Sequence, residues 1–122
     1  MDFKENKAIY LQIADYIGDN ILSGKLAAEE RVPSVREMAA EIEVNPNTVA
    51  RTYELLQQQG VIYTRRGLGY FVTPQAREAI MQERRHALMQ GELDYFLNRL
   101  SAVGIKPDEL KQLYENYVKG RC

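Results

Sequence analysis

From Ile9 to Ser23 the apolar side chains fall at Tyr10, Ile13, Ala14, Ile17 and Ile21. Steps of three and four place them on one face of a helix, and Gly24 provides the residue that ends such a helix cheaply in the left-handed conformation. After the loop "GKLAAEERVP", Val35, Met38, Ala39 and Ile42 mark a second, short amphipathic helix that ends near Glu43. Its entry is a capping box: Ser34 can accept from the amide of Glu37 while that carboxylate reaches back. A third helix follows within two or three residues, in "VNPNTVARTYELLQQQG", with Asn45 as N-cap and Pro46 at the first helical position, where its missing N–H is no loss. Val49, Tyr53 and Leu56 turn this helix toward a core, so Asn47, Thr48 and Arg51 share its outward flank.

Beyond Gly60 the periodicity changes. "VIYT" and "YFVT" are rich in β-branched and aromatic residues, and "RRGLG" between them is a glycine-bearing turn, so they read as a hairpin with arginines at its tip. A long helix is then expected from about Gln75 to Val103, striped by Ile80, Ala87, Leu88, Leu93, Phe96, Leu97, Leu100 and Val103, with Gly91 as a kink or close crossing point. Pro107 opens a last helix bearing Leu110, Leu113, Tyr114, Tyr117 and Val118.

The expected fold is mainly α with a small antiparallel β-hairpin. Two short amphipathic helices at a tight link are how a helix-turn-helix looks in sequence, and a hairpin directly after it makes a winged helix. In 122 residues there is room for one such domain and a short appendage. The division is residues 1–74, an N-terminal winged helix-turn-helix DNA-binding domain, and 75–122, a C-terminal two-helix dimerisation segment. The two tail helices carry more apolar face than they can bury against each other. A second copy of the chain is the economical cover, through Leu88, Leu93, Phe96, Leu97, Leu100, Leu113 and Tyr117; folding back on the winged helix is the alternative.

The formal net charge is only −1, unlike that of many nucleic-acid binders. Where the charges sit matters more than their sum. Between Val44 and Thr73 the basic residues Arg51, Arg65 and Arg66 meet a single acid, Glu54. The tip of the third helix collects asparagine, proline and threonine, which are poor or neutral helix formers. Asn45 has a capping job there, and Asn47 has none. Asparagine can bond an adenine edge in two places, arginine a guanine, and a threonine methyl can pack on that of thymine. Asn47 and Arg51 are therefore expected at bases or adjacent phosphates, and Thr48 and Ser34 at the backbone. Arg36, Arg65 and Arg66 are expected at phosphates or the minor groove.

Other chemistries find little to rest on. The single cysteine, Cys122, closes the chain, so no internal disulfide or cysteine-based metal site is expected, and its reading is a reducing, cytoplasmic compartment. "MDFKENKAIY" lacks the form of a signal peptide, and no apolar run approaches the roughly 18 residues that span a bilayer, so no membrane partner is expected. His86, the one histidine, lies between basic neighbours and reads as a surface residue. No catalytic set, metal or cofactor is expected, since "GLG" is too short for a phosphate loop and sits between strands.

The run "RVPSVREMAAEIEVNPNTVARTYELLQQQGVIYTRRGLGYFV" resembles the DNA-binding domain of the GntR family of bacterial transcription regulators, and the short remainder resembles its YtrA subfamily. The entries "P-S-x-R-E" and "V-N-x-N-T-V" and the wing "G-x-G-x-F-V" occur in order. The resemblance covers about Ile9 to Val72. It implies binding of double-stranded operator DNA by a homodimer, usually as a repressor. It also implies DNA contacts at Arg36, at Asn45, Asn47 and Thr48, and at Arg66 and Gly67. Pro46 and Ala50 stand where distant members carry arginines, so contacts inferred there do not transfer. With fewer than fifty residues after the wing, no separate effector domain is expected. Any small-molecule effector, unknown here, would sit in the dimer cleft or between tail and winged helix. Two other readings stand beside this one. In a protein–protein adaptor, protein would cover the Asn47, Arg51 and Arg66 face. A ligand-sensing regulator would differ only in holding an effector.

Overall fold

The four-residue beat of Ile13, Ile17 and Ile21 becomes helix α1, Ile9–Leu22, and buries all three. A computed structural model describes Phe3 and residues 6–121, so Cys122 lies outside the described residues. Helices α2 (Val35–Ile42) and α3 (Pro46–Gln58) follow, joined by a short turn. In that turn Glu43 takes the left-handed conformation, φ 57° and ψ 52°, and its N–H donates to the Ala39 carbonyl. Met38 and Ala39 of α2 and Val49, Tyr53 and Leu56 of α3 pack against α1 as one core.

Tyr53 is the largest fully buried side chain. Its ring meets Tyr70 edge-on at 4.9 Å, and its hydroxyl donates to the Pro33 carbonyl at 2.6 Å. A buried phenol oxygen needs such a partner, and this one ties α3 to the residue before the cap of α2.

The sheet has three strands where a two-stranded hairpin was expected. Strands β2 (Ile62–Arg65) and β3 (Gly69–Val72) form the hairpin, and β1, the two residues Arg31–Val32, pairs antiparallel along the other edge of β3. Backbone bonds from Glu29 N–H to the Val72 carbonyl (2.8 Å) and from Val72 N–H to the Glu30 carbonyl (3.0 Å) extend that pairing. Val32, Ile62 and Val72 point into the core, while Arg31, Tyr63 and Phe71, in register with one another, alternate to the other face. At the wing tip the Leu68 N–H closes a turn onto the Arg65 carbonyl at 2.9 Å, with Gly67 at φ +76° in the position that favours glycine.

The capping box forms as expected: the Glu37 amide donates to Ser34 Oγ at 3.1 Å and the Ser34 amide to Glu37 Oε1 at 2.8 Å. The Ser34 backbone bond, then its hydroxyl, with Arg31 adding to both, holds the Glu37 carboxyl below its ordinary value. Ser34→Ala is expected to cost about 1 kcal/mol of unfolding free energy. A depressed carboxyl stabilises above its unfolded pKa and ceases to as pH falls through the folded one. Glu37→Gln should therefore flatten the stability curve below pH 4.5, as read by urea unfolding across acid pH.

Residues 1–83 form one compact unit and 84–122 another, so the first unit runs past the 74/75 division expected from the elements. The reason is helix α4, Ala76–Ala87, whose Ala76 and Ile80 are buried in the winged-helix core. Ile80, expected in the apolar stripe of the tail, belongs there instead.

The expected long helix is helical from Ala76 to Ala102, with a π turn at Leu88–Glu92 between α4 and α5, Leu93–Ala102. The turn contains Gly91. There the Leu93 N–H reaches back five residues to the Leu88 carbonyl. In an unbroken α-helix, residues five apart point about 140° away from each other. The wider π turn brings Leu93 over Leu88, in line with Leu97 and Leu100. The last helix, α6, spans Pro107–Lys119.

Candidate nucleic-acid interface

Helix α3 begins as its residues dictate. Asn45 Oδ1 accepts from the Asn47 amide at 2.8 Å, and Pro46 fills the first helical position. Both asparagines are exposed and Thr48 is half-buried. Among the described residues the Asn47 side chain has no hydrogen-bond partner.

One turn on, Arg51 is exposed but not loose, since its guanidinium lies 3.8 Å from the centre of the Tyr10 ring. Tyr10, expected on the core stripe of α1, is half-buried at its edge and serves as a platform for Arg51. The pairing is keyed by Thr52, a fully buried residue whose hydroxyl donates to the Tyr10 carbonyl at 2.8 Å. Ala8, Ile9, Tyr10, Asn47, Thr48 and Arg51 thus enclose a shallow depression of about 320 Å³. Sequence reasoning missed Tyr10 because its spacing fits the apolar stripe. The available signal was its chemistry, an aromatic ring with a polar tip in the first turn of a helix.

The first turn of α2 and the wing meet through Arg31. Its Nε donates to the Leu68 carbonyl at 3.4 Å, and its Nη1 lies 3.4 Å from Glu37 Oε1. Ser34 spends its hydroxyl on the cap. Arg36 and Arg66 are exposed and, among the described residues, neither ion-paired nor hydrogen-bonded through their side chains. Gly67 is exposed between Arg66 and Leu68. Arg65 differs: its Nη2 lies 2.9 Å from Glu29 Oε2 and 2.8 Å from the Tyr63 hydroxyl. Arg51, Arg36 and Arg66 are thus open cations, and Arg65 and Arg31 are paired ones.

In the tail unit no residue of α5 or α6 is buried. Phe96 (54% exposed), Leu97 (41%), Leu88 (47%), Leu113 (53%) and Tyr117 (57%) all face outward, and Leu93 and Leu100 are half-covered. An open apolar groove of about 440 Å³ runs between α5 and α6 along Leu93, Phe96, Leu97 and Leu100, with Leu110 on its far wall. Among the described residues no helix is long and apolar enough to cross a membrane, and no cluster of histidine, cysteine or acidic residues gathers for a metal ion.

Comparison with known proteins agrees with this geometry. Residues 9–72 match the family model described as bacterial regulatory proteins, gntR family. The chain is 36% identical over 118 residues to the uncharacterised HTH-type transcriptional regulator YhcF of Bacillus subtilis, covering 97% of this chain and 96% of that protein. It is 30% identical over 115 residues to the HTH-type transcriptional repressor YtrA of the same organism, covering 94% and 85%. Among solved structures, a GntR-family regulator from Bacteroides thetaiotaomicron superposes with a TM-score of 0.81 at 43% identity, covering 94% of this chain and all (100%) of that one. The DNA-binding domain of AraR, solved in complex with operator ORR3, superposes with a TM-score of 0.54 at 25% identity, covering 60% of this chain and 88% of that one.

Proposed function

We propose, from the premise that this chain belongs to the GntR family of bacterial regulatory proteins and is a DNA-binding transcriptional regulator with YtrA-like relatives, that it represses transcription as a homodimer on an inverted-repeat operator. The observation that carries the reading is Asn47. Its backbone is already capped by Asn45, and its side chain stands exposed and unbonded at the tip of α3. A free amide exposed at a helix start suits the donor and acceptor pattern of a base edge.

Arg51, its guanidinium carbon 3.8 Å over the Tyr10 ring centre, is pre-oriented beside Asn47 and loses little freedom when it meets a base or phosphate. Arg36 and Arg66 supply phosphate contacts, Asn45, Thr48, Ser34 and Gly67 shape the backbone around them, and all of these hold register rather than read sequence. The homodimer rests on the tail, where helices α5 and α6 hold no fully buried residue within one chain. A two-fold pair would space two half-sites by whole turns of the duplex, about 10 bp or a multiple. Repression follows the YtrA relative, and the AraR operator complex supports a duplex as the partner of this kind of head.

Selection of bound duplexes from a random pool should return a palindromic consensus, and a pool that stays random would sink the reading. Residue roles separate in a second measurement. Asn47→Ala should remove about 1 to 3 kcal/mol of discrimination between the consensus and random DNA. Arg66→Ala should weaken both together and flatten the salt dependence by about one unit. An equal loss of specificity in both variants would refute these assignments.

A further inference from the structure

We propose that Arg65 is a positioning residue that stiffens the wing, and that the charge the hairpin offers to DNA comes from Arg66. The inference rests on the DNA-binding reading above, and it revises the expectation that both arginines hold phosphates.

Arg65 is held by Glu29, Tyr63 and the Phe71 ring, although 43% of its side chain stays exposed. Its Nη2 lies 2.9 Å from Glu29 Oε2 and 2.8 Å from the Tyr63 hydroxyl, and its Nε donates to the same hydroxyl at 3.1 Å. The Tyr63 hydroxyl accepts these bonds and donates its own proton to Glu29 Oε2 at 2.7 Å, so donors and acceptors match. The guanidinium also lies 4.3 Å from the centre of the Phe71 ring. Glu29 precedes β1, Tyr63 and Arg65 lie on β2, and Phe71 lies on β3. One side chain therefore ties the loop before β1 to both arms of the hairpin.

Register explains why the cluster forms at Arg65 and not at Arg66. Tyr63 pairs with Phe71 and Arg65 with Gly69, so alternation sends Tyr63, Arg65 and Phe71 to one face of the sheet. Gly69 offers no side chain opposite Arg65, and Arg31 passes through the space, 3.5 Å from where a Cβ would stand. Arg31 has its own carboxylate in Glu37, as Arg65 has Glu29. Arg66 sits beyond the register, in the turn, without a partner among the described residues. A cation neutralised by its own carboxylate releases no counterion when DNA docks, whereas an open one does.

The test is the salt dependence of duplex affinity for the full chain. The Glu29→Gln/Arg65→Gln double variant leaves net charge unchanged, and Tyr63→Phe removes one hydroxyl and no charge. Both should weaken binding about fivefold, the effect of losing an ordinary hydrogen bond, with a slope equal to that of the wild type. Arg66→Ala should lower the slope by about one. In spectra of the arginine Nε–H groups, the Arg65 signal should hold its position when operator is added, and the Arg66 signal should move. A slope lowered by about one in the double variant, or tighter binding by Tyr63→Phe, overturns the proposal while leaving DNA binding intact. A wild-type chain without salt-dependent affinity for any duplex overturns the DNA-binding reading itself.

Discussion

Tyr53→Ala is expected to cost about 3 to 5 kcal/mol of unfolding free energy, a large part of the stability of a domain this size. The ring is fully buried in the core that α3 shares with α1, α2 and the sheet, in edge contact with Tyr70. Tyr53→Phe isolates the hydroxyl. It should cost about 1 to 3 kcal/mol, because the Pro33 carbonyl, now 2.6 Å from its donor, is left without one. Burial also pushes the Tyr53 phenol well above its ordinary pKa of 10.0. An acid held neutral in the native state stabilises below its unfolded pKa, and that contribution declines as pH rises past it. Wild-type stability should therefore fall above pH 10 more steeply than that of Tyr53→Phe, in urea titrations at successive pH values. A Tyr53→Ala protein as stable as the wild type would mean that α3 is held by something other than this core.

The second large effect is expected in the tail. Phe96→Glu combined with Leu97→Glu places two charges on the wall of the α5–α6 groove, where the side chains are 54% and 41% exposed in a single chain. If a second copy covers that wall, both carboxylates would be buried on association, and the variant should sediment as a monomer. Loss of the second half-site should then reduce operator affinity by at least 100-fold, since a linked pair gains about that much by effective concentration alone. Thermal unfolding of the winged helix should stay near that of wild type, because its core lies within residues 1–83 and both substitutions lie beyond. A variant that still sediments with the wild type would remove the tail from the dimer interface.

Much of this was legible in the sequence, where local chemistry decides the outcome. The three-and-four spacing of α1, the box at Ser34 and Glu37, and the Asn45–Pro46 start of α3 are short-range devices, and each appears where its residues stand. Strand β1 was not legible. Two residues, Arg31 and Val32, are too few to show alternation, and their pairing with Phe71 and Tyr70 spans some forty positions. Ile80 fits the tail stripe by spacing alone, and only the packed core reveals that it belongs to the winged helix.

The interface divides along the same line. That Asn47 stands free follows from the cap, which is local. That Arg51 rests on Tyr10, and that Arg65 is claimed by Glu29, are tertiary facts separated by 36 residues or more. No spacing rule applied to "RRGLG" distinguishes its two arginines. The strand register does, by sending one to the face that carries Tyr63 and Phe71.

The π turn at Leu88–Glu92 has a practical consequence for anyone who grafts the tail onto another DNA-reading head. Forcing the same residues into an unbroken α-helix would swing every later side chain by about 100° relative to Leu88. Leu88 would then fall out of phase with Leu93 and Leu97. The joint works as a phase corrector: a chimaera must keep the wide turn, or drop one residue so that the two leucines stand four apart in a plain helix.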